Sequence, residues 1–313
     1  GRPLMATPRD DVVHRRTEYD ELIARHGTRG QAQFFLSTRQ QDLAAVDARH
    51  DLTETALRAV SAGIPAEWAR ALVERNDLSR FVFRPEDVVV VVGQDGLVAN
   101  LAKYLDRQPV IGIDPLPGTN AGVLVPHRAE STEHLLAALT ADSAPVLERT
   151  MVQASTDDGQ TLVALNEIYL GAPTHQSARY TLRVANDAER QSSSGIIIGT
   201  GTGSTGWCRS LQQIQGRDLA LPRPEDRALA WFVREPWPSP STGATMTHGT
   251  VEDQPVEVHV ESDTLVAFGD GVEDDPTPNE VVGGLRLPLV PGWKGAAWAE
   301  YHWPVQWEGQ KNA

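Results

Sequence analysis

One cysteine, Cys208, is all that 313 residues contain, which excludes an internal disulfide framework and any cysteine-rich zinc site. That scarcity fits a reducing compartment, and a cytoplasmic protein is expected. Basic residues are also outnumbered: 28 Lys and Arg stand against 42 Asp and Glu, for a formal net charge of -14. Nucleic acid and anionic membranes both call for a basic surface, so neither is expected as a partner. A phosphorylated small molecule is still compatible with this charge, provided that backbone N–H groups and a cation meet the phosphate. No apolar run is long enough to cross a bilayer, and the opening GRPLMATPRDD has no apolar segment of signal-peptide type. Internal repeats and low-complexity tracts are absent as well.

What is there begins with five consecutive valines, Val88 to Val92, entered through Arg84-Pro85-Glu86-Asp87. Such a run fits an interior strand of a parallel sheet, covered on both faces. It leads through Gly93-Gln94-Asp95-Gly96 into a helix predicted over residues 97–105, and residues 109–113 supply the next buried strand. Upstream, the pattern predicts a short strand at residues 12–15, a helix at 18–26 and a strand around Phe34-Phe35-Leu36. Two helices are predicted over residues 52–78, interrupted at Gly63-Ile64-Pro65. After about Pro126 and a helix at residues 131–140, the texture changes to short alternating strands: 150–154, 162–170, 178–184, 196–199 and 256–260. Residues 217–249, rich in proline and glycine, read as an irregular excursion. The expected organisation is an α/β domain with a parallel sheet over residues 5–126, a β-rich domain over 127–290 and a tail over 291–313. Trp293, Trp298, Trp303 and Trp307 would pack that tail onto the body or onto another subunit.

Asp95 sits where open α/β sheets bind ligands, at the carboxyl end of a strand and the start of a helix. Its charge is wrong for holding phosphate, and suits it to taking a proton from a hydroxyl or to holding a metal ion. An ordinary turn with Asp95 capping the helix is the alternative reading. Four other polar stretches lie beside apolar segments: Asn120-Ala121-Gly122, Leu165-Asn166-Glu167, the loop from Gly199 through Thr200-Gly201-Thr202-Gly203-Ser204-Thr205-Gly206, and Phe268-Gly269-Asp270-Gly271. Alternating glycines with hydroxyl residues can wrap an anion with N–H groups, although such a loop also serves as a plain connector. It matches neither GxxxxGK[ST] nor GxGxxG with a distant acid.

Taken in order, these stretches resemble the NAD kinase family, within the wider superfamily of diacylglycerol and sphingosine kinases. The likeness runs over residues 88–294. The family's GGDGT motif corresponds to Gly93-Gln94-Asp95-Gly96-Leu97. Its Gly-Ile-Asn and Gly-Phe-Leu elements are echoed by Gly112-Ile113-Asp114 and Gly122-Val123-Leu124, its Asn-Glu pair stands as Asn166-Glu167, and its TPTGSTAY signature as the segment from Thr200 to Trp207. A late Asp-Gly is Asp270-Gly271. The resemblance implies an NAD kinase-like fold, a homo-oligomer, and ATP-dependent phosphoryl transfer to a hydroxyl of NAD or a related nucleotide. Asp95 would be the general base and Mg2+ would steady the donor phosphates, with metal-binding residues unassigned. Gly93, Gln94, Gly96, Thr202, Gly203 and Ser204 would meet the donor. Asn166, Glu167, Ser194, Thr205, Trp207, Ser210 and Asp270 would hold the acceptor. The chain departs from the family pattern at Gln94 (for glycine), Leu97 (for threonine), Trp207 (for tyrosine) and Ser194 (for aspartate). Two alternatives follow: a kinase acting on another nucleoside, nucleotide or sugar, and a catalytically silent dinucleotide-binding or regulatory protein. Retention of Asp95 counts against silence.

Overall fold

The computed structural model describes residues 8–119, 123–141, 143–144, 146–157, 159–215 and 219–270, together with the backbone of short strands beyond them. The chain forms two compact units, Gly1–Leu147 with Pro304–Ala313, and Glu148–Trp303. The expected boundary at residue 126 falls inside the first unit, as does the helix Thr132–Thr140.

The first unit is built on a parallel sheet in the order β2 (Ala69–Glu74), β1 (Arg9–His14), β3 (Val88–Val92), β4 (Val110–Ile113), continued by Gln306–Trp307 and β5 (Val146–Leu147). All five valines of β3 are buried, as an interior strand covered on both faces requires. Helices α3 (Leu43–Gly63) and α5 (Thr132–Thr140) cover one face, where Val60, Ile64, Leu135 and Leu136 pack against Val12, Val90, Val92, Ile111 and Ile113. Two further helices, α1 (Glu18–His26) and α2 (Arg29–Ser37), join α3 in a small separate core of Leu22, Ala32, Leu36, Leu43 and Val46. Thr17 starts α1 with a reciprocal capping box to Asp20. Helix α4 (Asp95–Ala102) follows β3 directly.

At the opposite end of this sheet from Asp95, two acids share one guanidinium and a third lies beside them in the chain. Arg9 pairs with Asp11 at 2.6 Å and with Asp87 at 2.5 Å, while both carboxyl oxygens of the fully buried Asp10 meet no hydrogen-bond partner among the described residues. Burial, then the charge of Asp11, pushes Asp10 up to about 7, against a weaker opposing effect of Arg70.

Two local expectations are corrected. The Phe34-Phe35-Leu36 segment is helical, not a strand: Thr28 caps α2, and Ala32 and Leu36, four apart, face the small core while Phe34 is 73% exposed. Of the two helices predicted over residues 52–78, only the first exists. The second stretch contains β2, an edge strand paired in parallel with β1 from Arg9↔Ala69 to His14↔Glu74. An edge strand half open to solvent lacks the clean alternation that would have marked it, and its partner lies some sixty residues away.

The second unit is a sandwich of two mainly antiparallel sheets. One contains β6 (Met151–Thr156), β7 (Thr161–Ala164), β9 (Ala178–Val184), β10 (Asp187–Ser193) and β14 (Val256–Val260), with residues 284–287 and 289–290. The other runs in the order β13 (His248–Val251), β12 (Leu229–Arg234), β11 (Gly195–Gly199), β8 (Glu167–Gly171), β15 (Leu265–Gly269), then residues 279–281. Ile168, Leu170, Ile196, Ile198, Leu229, Trp231 and Val233 point between the sheets, against Val152, Tyr180, Leu182, Val256 and Val258. The alternate residues of the second sheet face helix α6 (Trp207–Gln215), where Ile197, Ala230 and Phe232 meet Cys208 and Leu211. Residues 217–249, expected to be irregular, contain the central strand β12 and the start of β13. The run read as one strand over residues 162–170 is two, β7 and β8, broken at Leu165-Asn166. Of the tail, residues 292–294 pair with 298–300, and the side chains of its tryptophans lie outside the described residues.

Candidate functional site

In the first unit the site is organised around Asp95. The chain leaves β3 at Gly93, whose N–H bonds the Ile113 carbonyl at 3.1 Å, and α4 begins at Asp95 with Gln94 as its cap residue. Both carboxylate oxygens of Asp95 are fixed: Val123 N–H donates to Oδ2 at 3.1 Å and Leu124 N–H to Oδ1 at 2.8 Å. What brings these amides within reach is Gly112 of β4. A side chain there would place its Cβ 1.9 Å from the Leu124 carbonyl oxygen, so the bare backbone is what admits the returning segment. His127 and Gly112 then exchange a backbone bond, His127 N–H to Gly112 O at 3.2 Å, and Ile113 bridges His127 in parallel. The turn itself, Asn120-Ala121-Gly122, lies outside the described residues.

The residues expected on the donor side divide. Gln94 and Gly96 are exposed, and nothing stands within 4 Å of where a Gly96 side chain would project. Leu97 is turned inward, 5% exposed and packed against Gly93, so it occupies core space and leaves the helix mouth open. Thr202, Gly203 and Ser204 are also buried. Arg149 donates to the Thr202 hydroxyl at 3.2 Å, and the Ser204 hydroxyl donates to the Thr200 carbonyl at 3.0 Å. The glycine pattern of this loop has a packing cause: a Cβ on Gly203 would lie 2.1 Å from the Asn166 carbonyl oxygen. Thr200 completes the contact, its N–H on the Asn166 carbonyl at 2.9 Å and its hydroxyl on the Leu165 carbonyl at 2.6 Å. The loop is folded over Asn166.

In the second unit Asn166 and Glu167 are held from the other side by Asp270. Its two carboxylate oxygens accept the N–H groups of Leu165 at 3.0 Å and Asn166 at 2.6 Å, and its own N–H donates to the Glu167 carbonyl at 2.9 Å. Asp270 has φ +59°, a strained conformation for a non-glycine residue that these three bonds maintain. Asp270 and Asp95 thus use one device, a carboxylate across two consecutive backbone amides. Glu167 is 9% exposed. Burial, then the Asp270 charge, pushes its carboxyl up to about 7.

Strand alternation puts Glu167, Tyr169 and Gly171 on the α6 face. Tyr169, which the sequence did not single out, stacks with Trp207 (centroids 5.8 Å apart, planes at 25°) and with Phe268 (6.4 Å, 15°). Its hydroxyl donates to the Ser194 carbonyl at 2.8 Å. The Ser194 hydroxyl donates to Glu235 at 2.5 Å, and the Arg234 guanidinium lies 5.4 Å from the Trp207 ring centre. Thr205 and Ser210 are exposed at the start of α6, with the Thr205 hydroxyl donating to the Thr202 carbonyl at 3.1 Å. Burial and the Glu167 charge push the Cys208 thiol up to about 12, so Cys208 is a packed neutral side chain. Tyr169 and Phe268 could have been found from the alternation that also gives Glu167 its direction. Arg234 and Glu235 could not, because β12, which ends at Arg234, was hidden in a proline-rich stretch.

The architecture is that of a two-unit protein, a parallel α/β unit with an Asp-Gly at a central strand's carboxyl end and a β-sandwich presenting the half-buried Asn166 beside the buried Glu167. No family model matches the chain, and no curated protein matches it in sequence. Solved structures do match. Yeast NADH kinase complexed with NADH is 13% identical, with a TM-score of 0.57 over 98% of this chain and 85% of that one. An NAD kinase from Archaeoglobus fulgidus in complex with ATP is 20% identical, with a TM-score of 0.54 over 97% of this chain and 94% of that one. The chain has the NAD kinase-like fold, as the ordered motifs implied.

Proposed function

We propose that the chain is a phosphotransferase of NAD kinase type, transferring a phosphoryl group from ATP to a hydroxyl of NAD or a related nucleotide. The observation that carries this reading is Asp95, fixed by two amides at the carboxyl end of β3 in a fold shared with NAD(H) kinases. Each of its oxygens accepts one N–H and keeps a further lone pair, so the carboxylate is oriented and still able to take the proton of an acceptor hydroxyl. Asn166 and Glu167 hold the acceptor ribose, with Trp207, Thr205 and Ser210 along the same helix start. The free N–H groups of Asp95 and Gly96 at the α4 N-terminus meet donor phosphate. Thr202, Gly203 and Ser204 support Asn166 from within.

Phosphoryl transfer needs charge neutralisation, and Mg2+ carried on the donor phosphates would supply it. Among the described residues no three His, Cys, Asp or Glu side chains converge on a common point. An ion brought in by the donor phosphates would draw most of its ligands from phosphate and water, with Asp95 the carboxylate at that end of the sheet. A second reading, in which the acceptor is a different nucleotide bearing an anionic group, is favoured by Arg234 over Trp207.

The test is turnover of labelled ATP against NAD, NADH and a panel of nucleosides and nucleotides, with wild type and Asp95→Asn. A loss of about two to four orders of magnitude in a folded Asp95→Asn variant is expected. Near-normal phosphorylation by that variant would remove Asp95 from the chemistry, and absence of any turnover with the wild type would remove the kinase reading.

A further inference from the structure

Strand β2 is the outer edge of the parallel sheet, and no described strand pairs with its far side. The usual blocks to edge pairing are missing from it: Ala69–Glu74 contains no proline and no lysine, and its six-residue register with β1 runs without a bulge. Parallel register sets Arg70 beside Asp10, Leu72 beside Val12 and Glu74 beside His14, all on one face. Val12 is 3% exposed, yet Leu72 next to it is 66% exposed, so the helical layer that buries Val12 stops short of this edge. Charges of opposite sign flank Leu72 at equal distance, Arg70 two residues before it and Glu74 two residues after. Arg70 donates to the Ser61 and Ile64 carbonyls at 3.0 and 2.9 Å, and Glu74 accepts the Asn76 N–H at 3.2 Å. Both keep hydrogen-bonding capacity beyond these bonds.

We propose that β2 is a self-pairing edge, on which a second copy of this chain lays its own β2 antiparallel about a two-fold axis through Leu72. In that register Leu72 opposes the second copy's Leu72, Arg70 opposes its Glu74, Glu74 opposes its Arg70, and Ala71 opposes its Val73 on the other face. A two-fold interface needs a surface that complements itself, and an apolar centre flanked evenly by opposite charges does so. The sense of the pairing follows from the same charges. Laid parallel and in register, the strands would set Arg70 against Arg70 and Glu74 against Glu74, which is unfavourable. The antiparallel seam satisfies the outer backbone groups of both strands, covers the exposed leucine of each and joins the two parallel sheets into one. Strand β1 lies between this edge and β3, so the seam leaves the Asp95 end of β3 free and stands independently of the phosphotransferase reading.

Sedimentation velocity of the full chain over a concentration series reads the association. Leu72→Asp sets a charge against itself on the axis, at an exposed position whose change the fold tolerates, and should halve the assembled mass of the wild type. Arg70→Glu and Glu74→Arg each create two like-charge pairs, because the axis repeats every contact, and each should weaken association about tenfold. The double variant restores opposite charges and should recover it, although it too lacks the bonds of Arg70 to Ser61 and Ile64, so recovery separates the interface from those local contacts. Cross-linking reads the register. Residues opposed in an antiparallel pair have Cα atoms about 4.5–5.5 Å apart, within disulfide reach, so Leu72→Cys should oxidise to a covalent dimer. Glu74→Cys, offset by about 14 Å from its counterpart, should not. The native Cys208 is buried and does not compete. A wild type that is monomeric at every concentration would overturn the inference, as would an assembly whose mass Leu72→Asp leaves unchanged or in which Leu72→Cys fails to cross-link.

Discussion

Replacing Gly112 by alanine should damage the site from a distance. The new Cβ would stand 1.9 Å from the Leu124 carbonyl oxygen and 2.8 Å from the Val125 Cα, both backbone atoms. A carbon and an oxygen tolerate about 3.3 Å, so the returning segment must retreat by more than about 1 Å. The Val123 and Leu124 amides now lie 3.1 and 2.8 Å from the Asp95 oxygens. A retreat of that size takes at least one of them beyond the roughly 3.5 Å limit of a hydrogen bond, and hydrogen bonds to a charged group contribute about 1.5–3 kcal/mol each. The bond from His127 N–H to Gly112 O, 3.2 Å long, is strained by the same movement. The expected cost is about 3 kcal/mol or more in urea unfolding of the full chain. With Asp95 no longer oriented, turnover should fall by about two orders of magnitude, the scale on which a 1 Å misplacement acts. Gly96→Ala is the control: nothing lies within 4 Å of its Cβ, and alanine favours the helix, so stability should hold or rise slightly. A Gly112→Ala protein as stable and as active as the wild type would refute the account of how Asp95 is held.

Two further expectations concern other parts of the chain. Leu97 is buried against Gly93, so Leu97→Thr should cost about 2–3 kcal/mol in stability without improving the donor KM, whereas Gln94→Gly, at an exposed cap, is the change that should alter donor KM; steady-state kinetics with ATP varied would separate them. Asp10 is an acid raised to about 7 in the folded chain, so its contribution to stability is fully present below its ordinary value near 3.8 and is lost as pH rises through 7. Wild-type stability relative to Asp10→Asn should therefore decline by about 1.4 kcal/mol per pH unit between about 4.5 and 6.5, and a flat difference in denaturation curves would contradict the burial of an unpaired carboxyl there.

Several features of this protein were fixed by local sequence alone. Five valines in a row have no stable place except an interior strand, and the alternation in residues 178–184 and 256–260 can bury only one face, so β3, β9 and β14 were legible. The order of the polar, glycine-rich stretches was enough to imply the fold. Tertiary structure decided the rest, because the deciding partner was far away in the chain. Residues 69–74 are a strand because β1 offers an edge, and residues 34–36 are helical because Leu22, Leu43 and Val46 complete a core. The same holds in the site. Asp270 reaches the Asn166 amide across 104 residues, and Gly112 matters because a carbonyl twelve positions later must pass over it. A sequence motif names the carboxylates; which amides orient them is a property of contacts that no local pattern encodes.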